Sequence, residues 1–148
     1  MLAASGTNLD EMQEAINRSG VRVWHGHFGG AIDVINLLIE MGLDVNEGSE
    51  DDYTPLMAAS HAGVTPVVKL LIQKGASVSA KTKGDWTALM SAATSDHEWR
   101  SSMELLLQHG ADINAKTKDS WTALAIASFH KGFDQPIVKF LKSRGAKE

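Results

Sequence analysis

Short apolar runs recur along this chain, each closed by a glycine. L-L-I-E-M-G ends at Gly42, L-L-I-Q-K-G at Gly75, L-L-L-Q-H-G at Gly110 and F-L-K-S-R-G at Gly145. The intervals are 33, 35 and 35 residues. A second landmark keeps the same phase: D-Y-T-P-L-M-A-A-S from Asp52, D-W-T-A-L-M-S-A-A from Asp85 and S-W-T-A-L-A-I-A-S from Ser120. Their threonines, Thr54, Thr87 and Thr122, lie 33 and 35 residues apart. Two landmarks in one phase mark an array of similar units.

Each unit predicts two helices. Thr54, Thr87 and Thr122 carry side-chain oxygens that can cap a helix start, and Pro55 suits a first turn that needs no backbone donor. Ala58, Ala59, Ala92, Ala93 and Ala127 are small enough for the first helix of each unit to approach its neighbours closely. Val67, Val68, Leu70, Leu71 and Ile72 give a second helix a broad apolar face. Thr65 before Pro66, and Ser101 with Glu104 three residues later, predict where second helices begin. Gly42, Gly75 and Gly110 stand where a helix ends in a left-handed residue. One such pair cannot bury its apolar face alone, so several units must stack.

These residues resemble the ankyrin repeat, whose pattern reads roughly G-x-T-P-L-H-x-A-A-x-x-G followed by L-L-x-x-G-A-D-V-N. The likeness is clear from about Asn36 to the C-terminus and looser before it. It implies an all-α solenoid of stacked helix–turn–helix units with protruding hairpin loops, about four to five units with an irregular N-terminus. One domain, 1–148, is expected: irregular or truncated units over 1–46, then repeats at about 49–81, 82–116 and 117–148. The second and third of these repeats are two residues longer than the first. The surplus falls between their helices, at S-D-H-E-W-R-S and H-K-G-F-D-Q-P, where turns tolerate added length.

Two registers fit the N-terminal stretch. In one, M-L-A-A-S-G lies in the first helix of a truncated repeat, R-S-G-V-R-V ends it, and residues 21–42 form a unit without its hairpin. In the other, Leu9 to Arg18 is the first helix of a cap, and V-R-V-W-H-G-H-F-G-G is an insertion before a helix from Ile32 to Met41. Both predict helices near 9–18 and 31–41. At the other end, Lys139, Lys142 and Arg144 favour a helix C-terminus and a solvent-facing cap.

The 148 residues are 43% hydrophobic and 22% charged, which suits a soluble domain with a working core. With no cysteine, disulfides and thiolate metal sites are excluded. The first ten residues lack a basic segment and a long apolar run, so no signal peptide is expected. No apolar run approaches a membrane span. The expected setting is the cytoplasm, with no membrane association. The net charge of −4 divides into −6 over residues 1–74 and +2 over 75–148. Neither value is the concentrated positive field that nucleic acid requires, so no nucleic-acid partner is expected.

In ankyrin proteins, partners meet the hairpin tips and the first helices, which line a concave face. Carried over by position, the resemblance selects Glu50, Asp51 and Tyr53; Lys83, Gly84 and Trp86; and Lys118, Asp119 and Trp121. On the helices it selects His61 and Ala62, Thr94 and Ser95, and Phe129 and His130. Tyr53, Trp86 and Trp121 occupy one equivalent position, so stacking predicts a row of rings. Large aromatics with a polar handle are enriched at binding hot spots. The plainer reading is that each ring packs on the next hairpin and stiffens the array. Around the rings the charge changes sign, from E-G-S-E-D-D to K-T-K-G-D and K-T-K-D-S. That polarity either orients a complementary partner or serves only as a solvated surface.

Chemical motifs are few. His25 and His27 flank Gly26 in W-H-G-H-F-G-G, a spacing that could contribute to zinc binding, but no third ligand stands at a motif spacing. His97-Glu98 lacks the second histidine of a zinc-protease helix, and G-H-F-G-G lacks a Walker lysine and a preceding strand. No G-x-S-x-G elbow is present. Asp51-Asp52 sits in a predicted hairpin open to water, where carboxylate tuning is difficult. Asn17-Arg18-Ser19 fits a glycosylation sequon that is idle without secretion. His109, just before Gly110, suits a helix end.

The expected function is therefore non-enzymatic: an adaptor, inhibitor or recruiting scaffold that binds another protein, is monomeric and needs no cofactor. The alternatives are a metal-binding or enzymatic site around Trp24-His25-Gly26-His27, or a structural fragment of a longer array.

Overall fold

A computed structural model describes residues 35–147 of the chain, which forms two compact units, Met1–Asp44 and Val45–Glu148. In the first, residues 35–40 are helical, inside the helix expected near 31–41. Gly42 follows at φ +93°, and the amides of Gly42 and Leu43 close on the carbonyls of Ile39 and Leu38 at 3.0 and 3.1 Å. The expected helix near 9–18, the choice of register and the Trp24-His25-Gly26-His27 stretch lie outside the described residues.

The second unit contains six helices in three antiparallel pairs. The Tyr53 repeat contributes α1 (Pro55–Ala62) and α2 (Thr65–Gln73), and the Trp86 repeat α3 (Ala88–Ala93) and α4 (Trp99–Gln108). The Trp121 repeat contributes α5 (Ala123–Lys131) and α6 (Pro136–Ser143). α1 packs on α3 and α3 on α5, while α2 packs on α4. None of the described residues forms a β-strand, and the hairpins are built as turns.

The first helices start where their threonines predict. Thr54, Thr87 and Thr122 are extended, and their hydroxyls accept from the amides of Met57, Met90 and Ala125 at 3.4, 3.4 and 3.2 Å. Each cap of this kind stabilises a helix by about 1 kcal/mol. α2 and α4 end in turns that place Gly75 and Gly110 at φ +94° and +90°. At the end of α4 the His109 ring Nδ1–H donates to the Leu105 carbonyl at 2.8 Å.

The core lies between the helix layers. Leu56, Met57, Val68, Leu89, Met90, Met103, Leu106, Leu124, Val138 and Leu141 are fully buried. Each large apolar side chain contributes about 1.5–3 kcal/mol relative to exposure. Ala59, Ala92, Ala93 and Ala127 are buried at the close helix contacts, as expected.

Three local expectations are corrected. Ala58 is exposed rather than packed at a helix contact. Thr65 opens α2, as expected; Val64 precedes it, and the Thr65 hydroxyl meets Ser102 Oγ at 3.1 Å. α4 starts at Trp99, two residues before Ser101, with Glu98 as its cap. The half-buried Trp99 ring packs edge-on against Phe140 at 5.6 Å, which draws the helix start forward. Ser101 is then an exposed interior residue, and the Glu104 carboxylate faces Arg100 and Arg144 at 3.7 and 3.5 Å instead of the backbone. Arg144 is accordingly more than a solvent-facing cap. Its guanidinium lies 5.2 Å from the Phe140 ring centre, as that of Arg100 does at 5.3 Å, and ties the end of α6 to α4.

Candidate functional site

The hairpins that carry the candidate residues repeat one local design. Ser49, Thr82 and Thr117 open the turns, and their amides donate to the carbonyls of Tyr53, Trp86 and Trp121 at 3.1, 3.0 and 2.9 Å. Their hydroxyls accept from the amides of the same three residues at 3.4, 3.0 and 3.0 Å. Asp52, Asp85 and Ser120 complete the turns at φ +62°, +62° and +66°, a region that L-residues enter at a cost. Successive tips are joined by backbone bonds, Lys83 N–H to Asp51 O at 3.0 Å and Lys118 N–H to Gly84 O at 3.1 Å. The three tips form one rim.

The rings on this rim differ in how they are held. Trp86 is half-buried, and its indole N–H donates to Ser91 Oγ at 2.8 Å. The Tyr53 hydroxyl lies 3.5 Å from the same buried oxygen, so Ser91 links the rings of two hairpins. At the equivalent position the Trp121 repeat has Ile126, which offers no acceptor. Trp121 is 39% exposed and meets Phe129 edge-on at 5.5 Å, and Phe129 in turn meets His130 at 5.6 Å. The expected row of equivalent rings is present, with two rings braced by Ser91 and the third turned to solvent.

Three cavities open along the row. One of about 430 Å³ lies between Trp86 and Trp121 and also involves Asp119, Ile126, Phe129 and His130. A second, of about 460 Å³, lies between Tyr53 and Trp86, with Asp51 and Lys83 at its edge. A third, of about 500 Å³, lies on the far side of the Trp121–Phe129 pair and reaches Phe133. Glu50 and Lys118 are exposed on the tips and line none of these three.

The helix candidates fall into two groups. His61 Nδ1 and Thr94 Oγ1 are 2.8 Å apart. The Thr94 hydroxyl already donates to Ser91 O at 2.7 Å, so the histidine is the donor and its Nδ1 carries the proton. This pair couples α1 to the end of α3. Phe129 and His130 are exposed, Phe129 at 74%. Ala62 is exposed, but Ser95 is buried and accepts from the His97 amide at 3.3 Å, which withdraws it from the candidate surface.

The two insertions were read from the sequence as tolerated length, and the structure shows what they contact. A Cβ on Gly63, at φ +68°, would meet Glu98 N and Ser95 Oγ at 3.0 Å, so this loop presses directly on the Trp86 repeat's insertion. Asp96 in that insertion pairs with Lys131 at the end of α5. The hydrogen bond and charge of Lys131 hold the Asp96 carboxyl below the usual carboxylate range, helped by His97 and His61. Phe133, in the next insertion, is 77% exposed. Sequence reasoning passed over it, although a large ring between Gly132 and Asp134 in a polar turn was the available signal.

Among the described residues no three His, Asp or Glu side chains are grouped to hold a metal ion. No described helix is long and apolar enough to cross a membrane. A family model described as ankyrin repeats in three copies matches residues 23–117 and 84–148. No curated protein matches the chain.

Proposed function

The chain belongs to the ankyrin-repeat family, whose repeats are generally protein–protein interaction modules and typically non-enzymatic; from that premise we propose that it binds a partner protein across its hairpin rim and first helices. Glu50, Asp51, Lys83, Lys118 and Asp119 supply the charged rim. Trp86, Trp121, Phe129 and His130 supply the apolar contact, with Tyr53 and the His61–Thr94 pair behind them. An adaptor, an inhibitor and a recruiting scaffold all act through such a surface.

The observation that carries this reading is the exposed Trp121–Phe129 pair beside a cavity of about 430 Å³. Exposing two large rings costs solubility, and aromatic anchors beside pockets carry much of the energy at protein interfaces. Tyr53 and Trp86 are poor first choices for mutation, because both reach Ser91 and also hold the array together.

The test is capture of partners from source-cell lysate on the wild type and on Trp121→Ser/Phe129→Ser, after matching their helicity and melting temperatures. A partner held by the wild type and lost by the variant supports the proposal. A partner held equally by both moves the site elsewhere. No partner in either sample counts against a binding module.

A further inference from the structure

Resting on the protein-binding reading above, we propose that the Trp86–Trp121 groove takes one uncharged large side chain from an extended, charge-polarised partner segment. That segment is acidic immediately around its anchor and basic a few residues away.

The cavity sets the anchor. At about 430 Å³ it is near the lower end of the roughly 300–1,000 Å³ of small-molecule sites, room for one large side chain rather than a folded element. Its walls are already organised. Ser91 fixes the Trp86 indole, Phe129 braces Trp121 edge-on, and the buried Ile126 forms part of the lining. A partner that fills it therefore avoids much of the cost of ordering those rings.

The rim sets the flanking charges. Neither exposed lysine lines the cavity, but Lys83 lies between Thr82 and Gly84 and Lys118 between Thr117 and Asp119, four residues that do, so both lysines flank it on the tips. The backbone bonds between tips hold them in one line with Asp51. One repeat further on, Glu47, Glu50, Asp51 and Asp52 make the rim acidic. Stacked helices lie about 8–10 Å apart, the reach of about three extended residues. Acidic partner residues thus belong within about two positions of the anchor, and a basic residue belongs about four to six positions away. Asp119 lines the groove, but the two tips that bound it carry Lys81, Lys83, Lys116 and Lys118 against Asp85 and Asp119, a net positive rim that disfavours a cationic anchor.

The test uses a displayed library of random 12-residue peptides selected on the full chain. Enriched sequences are expected to share Trp, Phe, Tyr or Leu as anchor, with Asp or Glu beside it and Lys or Arg at the distance given. A fluorescein-labelled synthetic copy of the strongest sequence then reports affinity by anisotropy. Lys83→Glu/Lys118→Glu should weaken it at least tenfold at low salt, less at high salt, with helicity and melting temperature unchanged. A peptide with its acidic residues changed to lysine should regain affinity for that double variant.

Enriched peptides with Lys or Arg as anchor overturn the inference in favour of a cation site. Binding indifferent to lysine reversal but lost in Trp121→Ser/Phe129→Ser overturns it too, and leaves the protein-binding reading standing. No enrichment, with a partner still captured from lysate, removes the inference alone. No enrichment and no captured partner removes both.

Discussion

An asparagine stitch crosses two places in the array and is missing from a third, which makes its value measurable within one molecule. Asn46 Oδ1 accepts from the Ser77 amide at 2.7 Å, and its Nδ2 donates to the Gly75 carbonyl at 3.1 Å. Two periods on from Asn46, Asn114 Oδ1 accepts from the Lys147 amide at 2.8 Å. The equivalent residue between them is Ser79, whose hydroxyl reaches only Ser77 of its own repeat, at 3.4 Å. Ser79→Asn should place an amide side chain opposite the Gly110 carbonyl and the Asp112 amide, which are equivalent by position to Gly75 and Ser77. A hydrogen bond contributes about 0.5–1.5 kcal/mol net. Two exposed bonds, less the entropy of ordering one side chain, leave a gain of about 1 kcal/mol. That corresponds to a rise in melting temperature of about 2–4 °C for a chain of this size. Thermal and urea unfolding followed by circular dichroism would read it, and Asn114→Ser, which removes one cross-repeat bond, should lose about 0.5–1 kcal/mol. Unchanged or lowered stability in Ser79→Asn, alongside a clear loss in Asn114→Ser, would refute the claim that these repeats are interchangeable at this position.

Further outcomes follow from single contacts. Ser91→Ala strips the acceptor from the Trp86 indole and the neighbour of the Tyr53 hydroxyl, and should cost about 1–3 kcal/mol in urea unfolding. Its effect on partner binding should exceed that of mutating an exposed tip residue outside the groove. Ser120→Gly relieves a left-handed backbone at φ +66°, and should stabilise by about 0.5–1 kcal/mol after glycine's greater unfolded-state freedom is subtracted. Asp85→Gly should gain less, because Asp tolerates that region better. The pairing with Lys131 lowers the folded-state pKa of Asp96, so its contribution is present above the ordinary carboxylate pKa and is lost as pH falls through the folded value. Urea midpoints measured from neutral to strongly acidic pH should therefore differ between wild type and Asp96→Asn at neutral pH and converge at the acidic end.

The repeat, its period and its helix boundaries were legible because they depend on local chemistry. A threonine that caps, a proline that suits a first turn and a glycine that ends a helix act within a few residues of themselves. Thr54, Thr87, Thr122, Gly75 and Gly110 all sit where the sequence puts them. Reading failed at Ser101, where the spacing of a capping box was correct but Trp99 had a stronger claim through its contact with Phe140, some 40 residues away.

The candidate site divides the same way. Equivalence of Tyr53, Trp86 and Trp121 follows from the period alone, because identical offsets in stacked units put side chains in register. How much each ring shows to solvent does not follow from its own position. It depends on whether the residue five places on is Ser91 or Ile126, and on Phe129 standing beside Trp121. The same holds for His61 and Thr94, which pair across repeats, for Ser95, which the fold buries, and for Lys131 and Asp96, which join two insertions. The sequence by itself determined the unit, because a repeat is specified by short-range capping and periodic burial. Only the tertiary structure decided which faces remain open, because exposure is set by side-chain contacts made within a folded repeat and across to the next.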